Sequence, residues 1–116
     1  MRNYKELLIW QKGMDIVEEV YKVSTLLPIE EKYGLKSQLQ RAAISIPSNI
    51  SEGCSRGTDP AFIQFLEYAE GSAFEIDTQM LAAVRLKMLD KETVAHLMTM
   101  LEEEQKMINA FISSLR

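Results

Sequence analysis

The sequence predicts an all-α protein: an antiparallel up-down-up-down four-helix bundle with a proline kink in its second helix. Three observations carry that expectation. Four segments of the 116-residue chain repeat apolar residues at spacings of three and four, the period of a helix. The links between those segments are only a few residues long, which forces neighbouring helices antiparallel. Five Gly and three Pro are too few for a turn-rich sandwich or barrel. The length fits one domain over residues 1–116, and 47% apolar residues supply enough surface to bury that disorder is excluded.

The first helix is expected from about Tyr4 to Leu27, with Leu7, Trp10, Met14, Val17 and Tyr21 on its inner face. Pro28 ends it, because the residue before a proline is pushed out of the helical region. The second spans about Glu30 to Ser55, with Leu35, Leu39, Ala42, Ile46 and Ile50 in register. Pro47 interrupts it chemically. It lacks an N–H and clashes with the carbonyl of Ala43, a cost of about 3 kcal/mol in a helix interior. The segment Ser45–Ile50 can therefore be read as a loop between two short helices. The apolar spacing continues across it, so one long kinked helix is the better reading, with Ser45, Ser48 and Asn49 satisfying the freed backbone groups.

The third helix opens at Thr58-Asp59-Pro60, a cap residue with proline in the first turn. Its seam is Phe62, Leu66, Ala69, Ala73, Ile76, Met80 and Ala83. Gly71 lies within it at a cost of about 1 kcal/mol relative to Ala, which the close approach of another backbone near Pro47 would explain. The fourth helix takes Asp90 as its cap and carries Val94, Leu97, Leu101, Ile108, Phe111 and Leu115, with Glu104 as a polar gap.

Charge limits the partners. Thirteen basic and seventeen acidic residues give a net charge of −4, unlike the basic surplus usual in nucleic-acid binders. Residues 28–58 form the one net basic quarter, at +1; the second half of the chain is acidic. Leu7–Trp10 is too short for the core of a signal peptide, and no stretch approaches the roughly 20 apolar residues of a membrane span. A single cysteine, Cys54, fits a reducing compartment. A cytoplasmic protein that avoids membranes is expected.

No catalytic, cofactor-binding or metal-binding residue is expected, and no cofactor. One Cys and one His exclude the usual zinc and di-iron ligand sets. The residue three before His96 is Thr93, not a carboxylate. Glu92, four before it, makes at best a solvent-side pair. Cys54 has no base nearer in sequence than His96; Arg56 beside it could lower its pKa, but a small residue near a helix end is the simpler reading. Glu52–Gly57 lacks the lysine and glycine spacing of a phosphate loop.

Polar residues near the seams suggest a structural network of Arg41, Ser45, Asn49, Glu52 and Glu75. Within it, Arg41 and Glu75 suit a partly buried ion pair that sets helix register. Met98, Met100 and Met107 lie off the fourth-helix seam, and Leu8, Ile9, Val20 and Val23 off the first. Apolar residues on two sides of a helix argue for burial against a second subunit, hence a homo-oligomer.

The run from Tyr33 to Gly53, above all Gln38–Gly53 with its Pro47-Ser48-Asn49, resembles the signature of a family of small bacterial four-helix bundle proteins. These are encoded within intervening sequences of 23S ribosomal RNA genes and are often labelled ribosomal proteins. Trp10-Gln11 fits the family's first helix; Phe62, Phe65-Leu66, Ala69–Ser72 and Glu75 fit its third. The resemblance covers nearly the whole chain. It implies the bundle, the kink at Pro47 and homo-oligomers, pentameric rings among them, and it implies no established activity. A related accessory protein of diversity-generating retroelements is strongly basic and binds nucleic acid and a reverse transcriptase; the present chain departs from it at a net charge of −4.

Two functions follow as expectations. The first is a non-enzymatic oligomeric scaffold or interaction protein whose partner is itself, as a pentamer, or an unidentified protein. The alternative is an RNA- or nucleic-acid-binding module acting through the second helix, with Lys32, Lys36, Arg41 and Arg56 as contacts.

Overall fold

The computed structural model describes residues 2–116. Four long helices account for most of them: α1 (Leu8–Ser24), α2 (Leu35–Cys54), α3 (Asp59–Arg85) and α4 (Lys91–Leu115). Short 3-10 turns at Tyr4–Glu6 and Ile29–Glu31 precede α1 and α2. There is no strand among the described residues. At 1.5 Å per residue α3 is about 40 Å long, which matches the 44 Å long axis of a 44 × 23 × 20 Å particle. α1 and α3 each pack on α2 and α4 and do not touch each other, so they stand on a diagonal. The α1–α2 and α3–α4 connections therefore share one end of the bundle.

Local chemistry explains where each helix starts. Thr58 Oγ1 accepts from the Ala61 amide at 3.3 Å, and Asp59 and Pro60 occupy the first turn of α3. Asp90 precedes α4 in an extended conformation; its carbonyl, not its carboxylate, takes the Thr93 amide. α2 begins at Leu35, the first residue of its apolar seam and five residues later than the expected start near Glu30. Gly34 interrupts the helix after the Ile29–Glu31 turn, and the Glu31 carboxylate reaches forward to accept from the Leu35 amide at 3.0 Å. α1 likewise starts at Leu8, after a turn capped by the Asn3 side chain. Gln11 Nε2 donates back to the Lys5 carbonyl at 2.9 Å and ties that turn to α1.

α2 continues through Pro47 to Cys54, so Ser45–Ile50 is helix and not a loop. The Asn49 side chain donates to the Ser45 carbonyl at 2.8 Å within this turn; Ser48 takes no such part, and its carbonyl accepts from Ser51 instead.

All seven expected seam residues of α3 are buried. So are Leu39, Ala42, Ile46 and Ile50 of α2, joined by Ala43, Pro47, Gly53 and Cys54. α2 and α3 form the most extensive helix pair of the bundle, and Ala42, Ala43, Ala69 and Ala73 are all buried in the core. A Cβ on Gly53 would stand 2.8 Å from a Phe62 ring carbon, so this position admits nothing larger than glycine without movement.

α1 differs from expectation. Its buried face is Ile9, Gly13, Ile16, Val20 and Val23, whereas Met14 and Tyr21 are exposed. The core stripe lies beside the one that sequence spacing favours, because α1 carries two apolar stripes and Gly13 sits in the inner one. Gly71 also corrects the sequence reading. Nothing lies within 4 Å of where its Cβ would be, so no backbone approaches it.

Candidate functional site

The polar network forms on the outer seam between α2 and α3. Arg41 donates to Glu75 at 2.8 Å and to Gln38 at 3.0 Å; Gln79 donates to the same Glu75 oxygen at 3.2 Å. One turn along, Ser45 and Ser72 share a hydrogen bond, and Asn49 lies within reach of Ser45. The Arg41 and Glu75 side chains are 60% and 39% exposed, so this is a solvated pair and not the partly buried one expected. Its contribution to stability is at most about 1 kcal/mol. Glu52 stands apart from the network and faces Arg56 at 4.0 Å.

The four cations of the nucleic-acid reading do not converge. Lys32 and Lys36 flank the start of α2, and Arg56 follows its end, about 30 Å away along a 20-residue helix. Arg41 and Arg56 each face a carboxylate. Arg56 also stacks over Phe65 at 4.6 Å. Sequence reasoning passed over Arg2, whose guanidinium lies over Phe62 at 5.1 Å and lines a small cleft with Arg56 and Thr58.

Cys54 and His96 belong to opposite ends of the bundle, since one closes α2 and the other lies in the second turn of α4. Burial pushes the Cys54 thiol up, so Arg56 does not activate it. No group of three His, Cys, Asp or Glu side chains able to hold a metal occurs among the described residues. No helix among them is long and apolar enough to cross a membrane.

A model of the 23S rRNA-intervening sequence proteins matches residues 5–110 of the chain. The chain belongs to that family. A solved structure from the S23 ribosomal protein family of Bacteroides thetaiotaomicron, a protein of unknown function, superposes with a TM-score of 0.83. It is 19% identical, and the match covers 90% of this chain and 98% of that one. That likeness establishes the fold. No curated protein matches the chain.

In this family member the apolar surface lies elsewhere than the off-seam residues suggest. Ile9, Val20, Val23 and Met100 are core, and Met98 and Met107 are half-buried against it. Leu8 alone of that set is well exposed. Most of the exposed large apolar side chains fall on two sides; Leu8, Tyr68 and Leu86 are exposed as well. On the α1–α2 side, Met14, Tyr21 and Ile44 are each about two-fifths exposed. Tyr21 is one turn from Ser24, whose Oγ accepts from Gln40, and Ile44 is one turn beyond Gln40, so the two stripes adjoin. Leu26, Ile29 and Tyr33 extend this side over the α1–α2 corner.

The other side is the α3–α4 face. There Phe74 and Leu81 project from α3, and a groove of about 940 Å³ runs between the helices, floored by Val84, Val94, Ala95 and Met98. Arg85 and Lys91 stand at its rim.

Glu104 is the feature sequence reasoning undervalued. It is no gap in the α4 seam but a wholly buried member of it. Its carboxylate lies over Gly13, where a Cβ would stand 3.3 Å from Oε2, 3.1 Å from Ile46 and 3.5 Å from Pro47. Neither oxygen has a hydrogen-bond partner among the described residues. Burial pushes its pKa up to about 8, opposed by Lys12 and assisted by Asp15. Lys12 gives it no direct contact, because its ammonium bonds Glu103 at 2.6 Å and holds that carboxylate below its ordinary range.

Proposed function

We propose that this chain is a non-enzymatic, oligomeric helical scaffold that works in the cytoplasm. The observation that supports it best is the pair of apolar sides on opposite faces of one bundle, α1–α2 and α3–α4. A large exposed apolar patch is costly in water and marks a surface meant to be covered. Two such patches on opposite sides suit a chain whose copies assemble with one another. The family resemblance adds an expected copy number of five.

Light scattering and native mass spectrometry test the reading directly. A mass of five times the 13.3 kDa chain is expected. A monomer at micromolar concentration overturns it. The RNA-binding reading is the weaker one, because the cations of α2 are scattered and two of them face carboxylates. Binding through phosphate contacts weakens steeply with salt. The scaffold reading expects no salt-sensitive retention of 23S ribosomal RNA fragments, and such retention lost on Lys32→Ala with Lys36→Ala would favour the alternative.

A further inference from the structure

One end of the bundle differs in chemistry from the rest of the molecule. It holds the α1–α2 and α3–α4 connections and the helix turns that flank them. Four of the five most exposed large apolar side chains among the described residues lie there: Tyr33 at 87%, Ile29 at 85%, Leu86 and Leu26. They come from both connections, so the apolar character spans the end instead of one corner. Positive charge collects there too. Residues 21–38 and 82–94 carry Lys22, Lys32, Lys36, Arg85, Lys87 and Lys91 against Glu30, Glu31, Asp90 and Glu92. This end is therefore +2 in a chain of net −4, and the remaining residues carry −6. The charge and hydropathy of the whole chain, which predict a protein that avoids membranes, average this difference away.

Shape selects the kind of partner. The end face measures about 23 by 20 Å. A stable protein pair covers about 800 Å² on each partner, more than this end offers. A lipid surface sets no such minimum, because exposed side chains enter it one by one. Leucine and isoleucine gain by reaching the acyl boundary, and tyrosine suits the headgroup level with its apolar ring and polar hydroxyl. Lysine and arginine lay their stems along the boundary and keep their charges among the headgroups. Each cation strengthens binding to an anionic surface about fivefold.

We propose that this end docks on an anionic lipid surface, with Leu26, Ile29, Tyr33 and Leu86 entering the headgroup region and the six cations facing lipid phosphates. The acidic remainder of the chain then points away from the surface, which repulsion between like charges favours. The contact is peripheral and spans nothing. It does not depend on self-association, since the end lies across the helices and leaves their long sides free.

Flotation of the full-length protein with vesicles tests this. Vesicles of phosphatidylcholine with phosphatidylglycerol are expected to carry the protein, less so as salt rises, and vesicles of phosphatidylcholine alone to leave it behind. Ile29→Ser with Leu86→Ser is expected to weaken binding at least about tenfold. Lys36→Glu with Lys91→Glu is expected to weaken it at least about twentyfold. The second pair puts acids in the first turns of α2 and α4, where the helix dipole favours them, so the fold should persist by circular dichroism. Leu8→Ser alters an exposed leucine at the opposite end and is expected to float like wild type. A folded wild type that stays behind with the anionic vesicles overturns the proposal, as does equal flotation with both vesicle types. Loss of binding in Leu8→Ser as large as in the end variants overturns it as well. If the wild type never floats but Ile29→Ser with Leu86→Ser lowers its native mass, a second copy covers this end instead.

Discussion

Glu104 should make the protein less stable as pH rises from 5 to 9, and Glu104→Gln should abolish that loss. The carboxyl is wholly buried, has no partner among the described residues, and titrates near pH 8 instead of its ordinary 4.5. Between those two values the native state holds a proton that the unfolded chain has released. Stability therefore falls with rising pH across that window, and it levels off above pH 8. Each pKa unit corresponds to about 1.4 kcal/mol, so the whole window is worth at most about 5 kcal/mol. Between pH 5.5 and pH 9 the expected loss is about 3 kcal/mol. Urea unfolding at fixed chain concentration reads it from the midpoint, with the slope checked for constancy. Glutamine keeps the shape and cannot ionise, so its curve should be nearly flat over the same range. Glu104→Met should raise stability at pH 9, since it removes the polar group altogether. If wild type and Glu104→Gln lose the same amount between pH 5.5 and pH 9, the buried carboxyl is not the cause and the reasoning fails.

Other substitutions have defined outcomes. Gly13→Ala should cost about 1–3 kcal/mol, because its Cβ meets Ile46 at 3.1 Å and the Glu104 carboxylate at 3.3 Å, whereas Gly71→Ala, open on all sides, should gain about 1 kcal/mol; thermal unfolding of the two side by side checks the contrast. Lys87, after α3, has a φ of 62°, a left-handed conformation in which its amide closes on the Val84 carbonyl, so Lys87→Gly should stabilise by about 1 kcal/mol in denaturant titration. Arg41→Ala should shift stability by less than about 1 kcal/mol despite its short ion pair, and the shift should vanish in high salt. Alkylation of Cys54 at pH 8 should be much slower than that of an unfolded control, because its thiol is buried and pushed up from its ordinary value.

How far the fold can be read from sequence varies by helix, for physical reasons. The start and seam of α3 are legible, though the role of Gly71 within it is not: Thr58, Asp59 and Pro60 mark its start by three independent effects, and its seam has no competitor. α1 is harder because two apolar stripes run side by side. The outer one, with Met14 and Tyr21, looks richer than the inner one, where Gly13 breaks the pattern. That glycine is needed where α1 passes Ile46 and Glu104, a long-range contact that no local spacing reveals. α2 starts at the first residue of its seam, Leu35, and not at Glu30, because Gly34 breaks the chain direction there and the Glu31 carboxylate caps the Leu35 amide. Arg41 and Glu75 are correctly paired from their places beside the seams, but their exposure depends on how two helices roll against each other. Glu104 sits in register with Leu97, Leu101 and Ile108, which is the one local sign that it points inward. The groove rim needs tertiary structure, since Arg85 and Lys91 meet only when the turn between α3 and α4 folds back.

The pairing of α2 with α3, the most extensive in the bundle, has a bearing on how the molecule breathes. Where helices pack most extensively, water enters last, and amides there exchange with solvent only when the whole particle opens. α1 and α4 form the least extensive of the helix pairs, and the buried Glu104 carboxyl between them loses its proton in mild alkali. Opening should therefore begin between α1 and α4 and leave the α2–α3 hairpin as the last ordered piece. The exposed apolar stripe of Met14 and Tyr21 would then be lost before the rest of the bundle melts.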